Sequence, residues 1–358
     1  MRHMKKLVCI LLPLTGFLVT PAFCQKDTVD IIYEVKDTLN KNIKLFESDD
    51  LLEFSLRFDI TAYKRSKSGK EEIPALLTYH ISETDSINKD LKIRARGIMR
   101  KDYCDFPPIR LNFKKKEPPE DEFSNIDKVK LVTHCKIGNE EYVLKEYLIY
   151  KLYNVLTEFS YRVRLARINY INTARESKPI KQFGFLIEPT EVLCKRTNSV
   201  EVSVMNLGQK NMKPDMMNRV AIFNYMIGNC DWDVVAHHNV VILAQGKSER
   251  PDLGVILTYD FDYAGLVNAN YAASPEVLPI KSVLERYYLG ICRTEGEYVA
   301  ALKEFADKKE EFYRVIREFP YLKDRTKKTM TDYLDGFFND MDKRNVLPGK
   351  FMSQCLQH

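Results

Sequence analysis

The 358-residue chain holds one tryptophan, six histidines and fourteen glycines, and each scarcity removes a class of answer. Gly97 stands nearly alone on its stretch, so no glycine-rich loop is there to cradle a phosphate. The cysteines form no C-x-x-C pair, which argues against a zinc cluster. His237 and His238 have no third histidine nearby, His134 being distant in sequence. Adjacent residues on a strand also point to opposite faces, so the pair reads as structural or hydrogen-bonding. After residue 24 no apolar run approaches the length of a membrane span. Low-complexity segments and internal repeats are missing as well.

Charge is balanced rather than one-sided: 55 Lys and Arg against 50 Asp and Glu, formally +5. Basic runs such as Lys114-Lys115-Lys116 are followed by Glu117, Glu120, Asp121 and Glu122. That mixture describes a solvated surface and not a nucleic-acid patch. The first six residues are basic, residues 7–20 are apolar, and Pro21-Ala22-Phe23-Cys24 places small residues at −3 and −1. Residues 1–24 therefore read as a signal peptide cleaved after Cys24. Phe23 is a poor neighbour for lipid attachment at Cys24, so the expected product is exported without a lipid anchor or a transmembrane span. Its destination is the periplasm, the cell surface or the medium. Export permits disulfides, and Cys104, Cys135, Cys194, Cys230, Cys292 and Cys355 remain. Cys104 and Cys135 flank the first lobe and are the pair expected to bridge; the rest of the connectivity is open.

Residues 28–116 read as β-rich. Phe54, Leu56, Phe58 and Ile60 alternate as a half-buried strand does, and 75–81, 91–96, 109–113 and 128–133 continue the pattern. Residues 140–156 place apolar side chains near the 3.6-residue period of a helix. Strands follow at 164–173 and 184–189. From residue 215 helices dominate, at 216–227, 279–289, 295–305, 308–319 and 329–341. A polar stretch near 189–215 divides a lobe of residues 90–205, overlapping the β-rich segment, from a helical lobe of 206–350.

The chemistry concentrates between Asn229 and Gly265. His238-Asn239-Val240-Val241-Ile242-Leu243 and Val255-Ile256-Leu257-Thr258-Tyr259-Asp260 bracket a polar turn, which is the pattern of an antiparallel hairpin. Pairing 244 with 255 carries Asn239 opposite Asp260, about 5 Å away, with Asp262 on the same face. Asp231 lies just upstream. Three or four oxygen-bearing side chains then converge, and such ligands suit Mg²⁺ or Mn²⁺. Alternatively Asp260 and Asp262 cap a strand, Lys130 snorkels at a surface, Glu146 faces solvent, and Trp232 anchors the core.

Several segments together resemble the CotH-like kinases, in particular an exported bacterial branch related to that family. They are Arg94-Ala95-Arg96-Gly97, Phe106-Pro107-Pro108-Ile109-Arg110-Leu111, Lys130-Leu131-Val132-Thr133-His134-Cys135 and Glu146 to Tyr153. Gly184-Phe185-Leu186-Ile187-Glu188, Gly228-Asn229-Cys230-Asp231-Trp232, His238-Asn239 and Tyr259-Asp260-Phe261-Asp262 complete the set, over roughly residues 90–275. The resemblance implies an α+β, two-lobed protein-kinase-like fold that moves the γ-phosphoryl of ATP to a protein or other hydroxyl acceptor. Asp231 would be the catalytic aspartate, and Asn239, Asp260 and Asp262 would ligate Mg or Mn. Lys130, Arg110, Glu146 and Glu188 would serve the nucleotide. Two rival readings stay open: a non-catalytic interaction module of the same fold, and a metal-dependent phosphoester hydrolase.

Overall fold

The computed structural model describes residues 43–66, 69–80, 85–113, 121–202, 207–245 and 252–357; the signal peptide expected at 1–24 and the Lys114–Lys116 run lie outside them. The alternating runs become strands: β1 (Leu52–Phe58), β2 (Ile73–His80), β3 (Ser86–Ala95), β4 (Ile109–Phe113) and β5 (Lys128–Val132). Short helices α1 (Ile60–Arg65) and α2 (Met99–Tyr103) punctuate them. Then come α3 (Glu140–Leu156), β6 (Val163–Asn172), β7 (Ile180–Ile187), α4 (Thr190–Arg196) and β8 (Ser199–Glu201). The rest comprises α5 (Pro214–Ile227), β9 (Val240–Gln245), β10 (Asp252–Thr258), α6 (Glu295–Asp307), α7 (Lys309–Arg317), α8 (Asp324–Met341) and α9 (Val346–Gln354).

The expected two-lobed protein-kinase-like arrangement is overturned. Seven strands close into a barrel in the order β1-β2-β3-β4-β5-β7-β6. The hairpin expected in the largely helical part gains a third strand, giving the sheet β10-β9-β8. Closure depends on β1, which pairs antiparallel with β2 and parallel with β6, from Leu52 beside Ala166 to Phe58 beside Asn172. A strand satisfied on both sides leaves no edge. Alternation then decides what fills the inside: Phe54, Leu56 and Phe58 point in with Leu77, Ile93, Leu111, Leu131, Ile168 and Tyr170. Phe58, Tyr63, Phe106 and Tyr170 meet edge-on or tilted, with centroids 4.6 to 6.5 Å apart, the separation aromatic pairs prefer. Gly184 of β7 must be small, because a Cβ there would sit 2.7 Å from Val132 O and 2.8 Å from Ile168 Cδ1.

Helix α3 spans 17 residues and is buried on nearly every side, since it lies between the barrel strands β6 and β7 and helix α7. Thr294 and Glu297 form a reciprocal capping box that starts α6. The helix expected over 279–289 is absent. Lys281 and Leu284 donate their backbone N–H groups to the side chains of Glu285 and Ser282, and such local bonds compete with a helix. Disulfides join Cys104 to Cys135 and Cys292 to Cys355. The first is the bridge expected from sequence; the second ties the segment before α6 to the end of α9.

Two measurements check these stabilising elements. The Cys292–Cys355 bridge closes a loop of 63 residues, so the double serine variant should lose about 4 kcal/mol in urea unfolding under non-reducing conditions. A second concerns His134, buried beside Phe106 and Tyr170. Burial, helped by Lys64, pushes its pKa from the ordinary 6.5 down to about 4. The unfolded chain therefore takes up this proton first as pH falls. The contribution is intact above pH 6.5 and erodes between 6.5 and 4, by about 3 kcal/mol at most. His134→Phe should flatten the wild-type stability curve in that window; parallel curves for the two proteins would refute the assignment.

Candidate functional site

Helix α5 ends at Gly228, and a pair of buried asparagines fixes the path of the loop beyond it. Asn229 Nδ2 donates to Asn224 Oδ1 at 2.8 Å, and Asn224 Nδ2 donates to Val220 O at 3.0 Å. Asn229 Oδ1 then accepts from the Asp231 backbone N–H at 3.1 Å, which aims the Asp231 side chain. Its carboxylate is held at both ends. His238 Nε2 lies 2.8 Å from Oδ1, and Asn239 Nδ2 donates to Oδ2 at 2.9 Å and to the Asp231 carbonyl at 2.8 Å. The loop closes through paired backbone bonds between Asp233 and His238. Trp232 is buried, as a core anchor should be.

The hairpin register differs from the expected one by a single residue. Leu253 pairs with Ala244, but Val255 pairs with Leu243; the shift falls at Gly254, whose φ of +114° is open to glycine. Its carbonyl accepts from Lys213 N–H, so the bulge is fastened to the start of α5. Asn239 consequently faces Tyr259, whose N–H donates to the Asn239 carbonyl at 3.0 Å, and not Asp260. Both Asn239 and Asp260 leave the ladder with positive φ, +52° and +63°. Strand alternation no longer governs where they point, and residues held this way cluster at working sites.

Asp260 joins a different set. Its carboxylate oxygen, with one each from Asp262 and Glu146, falls in a group whose members all lie within 4.8 Å of one another. Glu146 arrives from α3, where Tyr150, one turn on, accepts the Asp260 N–H at 3.0 Å. Sequence reading did not find the residue at the centre, Arg100 of α2. Its Nε donates to Asp262 Oδ2 at 2.7 Å and its Nη2 to Glu146 Oε2 at 2.6 Å. Nothing in the run Met99-Arg100-Lys101 marks this cation out from its neighbours; only the fold does. Glu146 thus pairs with Arg100, and with neither Lys130 nor Arg110.

Electrostatics follow from the count. Three carboxyls share one guanidinium in a buried place, so their ionised forms are not all equally favoured. Burial pushes the carboxyls of Glu146 and Asp262 up, with Arg100 opposing and the neighbouring acids adding to the rise. Burial acts on Asp260 too, but Arg100 and Arg96 outweigh it and hold Asp260 below the usual carboxylate range. Arg100 itself loses by burial and gains more from Asp262 and Glu146.

A divalent cation would favour the ionised form of all three acids. Glu146 Oε1 is buried without a hydrogen-bond partner, and hard carboxylate oxygens are what Mg²⁺ or Mn²⁺ takes. The residues fit such an ion, with Glu146, Asp260 and Asp262 as the group that would hold it. Asn239 keeps its amide nitrogen on Asp231, so only its Oδ1 could contribute.

Cations face this group from the outer wall of the barrel. Arg94, Arg110 and Lys130 are successive cross-strand neighbours on β3, β4 and β5, and Arg96 follows two residues after Arg94. All four are half-buried. Burial and then Arg96 lower Lys130 to about 8, with Asp260 pulling the other way. Burial and then Arg94 and Arg96 lower Arg110. Lys130 Nζ stands 5.3 Å over the ring of Tyr259, next to Asp260. Glu188 is engaged elsewhere: Arg196 donates to both its oxygens at 2.9 and 3.0 Å, and Arg162 N–H donates to Oε2 at 3.0 Å. That leaves Glu188 as a bracket between the start of β6 and α4.

No protein-family model matches the chain, and no curated protein matches it. Removing Arg100 strands two buried acids, so Arg100→Ala should cost about 3–5 kcal/mol in urea unfolding. Arg100→Lys should recover less than half of that, because one ammonium cannot fork between two carboxylates as a guanidinium does. Full recovery by lysine would show that charge alone is needed.

Proposed function

We propose that the protein is an exported phosphotransferase, moving the terminal phosphoryl group of a nucleoside triphosphate to a hydroxyl acceptor with Mg²⁺ or Mn²⁺ bound. One observation carries this reading: three clustered carboxyls, at Asp260, Asp262 and Glu146, share the single guanidinium of Arg100, and Lys130 and Arg96 act on Asp260 from the barrel. Acids that can hold a divalent cation beside cations that can hold phosphate oxygens are the two halves of a phosphoryl-transfer site. The reading agrees with the resemblance to the CotH-like kinases at these positions. It rests on the side chains and not on a kinase fold.

Phosphoryl transfer asks the protein mainly for positioning and charge neutralisation. Lys130, Arg96 and Arg110 bind and orient the phosphate oxygens. Glu146, Asp260 and Asp262, with Asn239 at the margin, hold the cation, which when bound offsets charge on the donor's phosphates. Asp231 receives the acceptor hydroxyl, and His238 and Asn239 fix the direction of its carboxylate. Export is read from residues 1–24, and the two disulfides suit an oxidising compartment. No helix among the described residues is long and apolar enough to cross a membrane.

Calorimetric titration with ATP, with and without Mn²⁺, tests the proposal. Binding should depend on Mn²⁺ and weaken more than about tenfold in Asp260→Ala, since even outer groups around a metal cost that much. Lys130→Ala should weaken nucleotide binding while sparing the binding of Mn²⁺ alone. A folded wild-type protein that binds neither ATP nor Mn²⁺ would leave a non-catalytic interaction module as the better account. Release of phosphate from a phosphoester without nucleotide would instead favour a hydrolase.

A further inference from the structure

Asp231 lies on the wall of a cavity of about 210 Å³ that none of the barrel cations lines. The remaining walls are largely apolar: Tyr263, Ala273, Pro275, Ile280 and Val283. Cys230 also lines it, and burial lifts that thiol to about 11, so it acts as a small apolar wall and not as a nucleophile. The cavity therefore offers one carboxylate in an otherwise greasy, open-mouthed pocket.

We infer that the acceptor is a phenolic hydroxyl, of the kind carried by a tyrosine side chain, with its ring among Tyr263, Pro275, Ile280 and Val283 and its oxygen at Asp231. This rests on the phosphoryl-transfer reading. Size favours it: a dry cavity of ~150 Å³ already holds benzene, and 210 Å³ leaves room for the added oxygen. A serine or threonine hydroxyl would leave most of that volume unfilled, and an unfilled apolar wall forfeits its dispersion contacts. Asp231 has the capacity as well. His238 and Asn239 each take one lone-pair site, and an ionised carboxylate has about four.

In the transfer the phenol oxygen forms a bond to the donor's terminal phosphorus as the bridging P–O bond breaks. That bond's electron pair leaves with the nucleoside diphosphate, and the phenol proton passes to Asp231. A phenol ionises near pH 10, within reach of a carboxylate base in a way that an aliphatic alcohol is not.

The probes are p-cresol and toluene, titrated into the full chain and followed by calorimetry, and then tyrosine- and serine-containing peptides supplied with ATP and Mn²⁺. p-Cresol should bind saturably and at least about tenfold tighter than toluene, because its hydroxyl donates to a charged acceptor. Ala273→Phe, at an exposed position on the rim, should abolish p-cresol binding while leaving ATP and Mn²⁺ binding unchanged. Phosphotyrosine should form in preference to phosphoserine. Equal binding of toluene and p-cresol, insensitivity to Ala273→Phe, or phosphoserine as the main product would overturn the inference and leave the transfer reading standing. Hydroxyl-dependent p-cresol binding in a protein that takes neither ATP nor Mn²⁺ would do the reverse.

Discussion

Everything in the candidate site is arranged around the guanidinium of Arg100. It comes from a five-residue helix with little grip of its own, held from behind by the Cys104–Cys135 disulfide. From there it reaches Glu146 on the long buried helix α3 and Asp262 in the loop after β10. Those two acids are far apart in sequence and belong to elements that would otherwise be independent. One planar fork with fixed donor directions makes their separation a definite quantity. Asp260 then falls into place, because Tyr150, a turn beyond Glu146 on the same helix, accepts its N–H.

Such an arrangement is hard to explain as a stabilising device. Taking charges out of water costs several kcal/mol per ion, and well-packed apolar side chains of the same volume are often at least as stable. Here the balance is worse than for a simple pair. Three acids share one cation, and Glu146 Oε1, on a residue only 1% exposed, has no hydrogen-bond partner. A cluster in which burial and neighbouring acids push two carboxyls up is more simply read as a place prepared for something positive. The barrel supplies the complementary half. Arg94, Arg110 and Lys130 stand opposite one another on neighbouring strands, where like charges repel. Each half is unfavourable alone, and each presents the charge that the other kind of ligand lacks.

Much of this was legible in the sequence, and the losses have physical causes. Period-two runs located six of the barrel strands to within a few residues, and the 3.6-residue pattern placed α3 at 140–156, where it lies. Barrel closure was not legible. It depends on β1 lying parallel to β6, a pairing secured past the strand end by Asn172 accepting from Ile60 N–H across 112 positions. Alternation tells which face of a strand is apolar and is silent about its neighbour. Asp231 and Asn239 do meet, as do Asp260 and Asp262, but in two separate sets, and the pairing expected to join them is not the one used. A bulge at Gly254 slips the register by one, and left-handed backbone at Asn239 and Asp260 redirects the side chains. Arg100 carried no signal at all, since its partners are set by tertiary packing.

The division of labour around Asp231 gives the site a direction. Lys130 and Arg96 act on Asp260, while Asp231 lines a separate pocket whose other walls are largely apolar. The Asp231 carboxylate is poorly free to swing, since His238 and Asn239 hold its two oxygens and Asn229 holds its backbone. Rigidity of this kind suits a reaction in which in-line placement matters more than proton abstraction. It also explains why the loop tolerates left-handed backbone at both His237 and Asn239. The conformation costs of order 1–3 kcal/mol per residue, and what it achieves is to turn two neighbouring side chains onto the same aspartate.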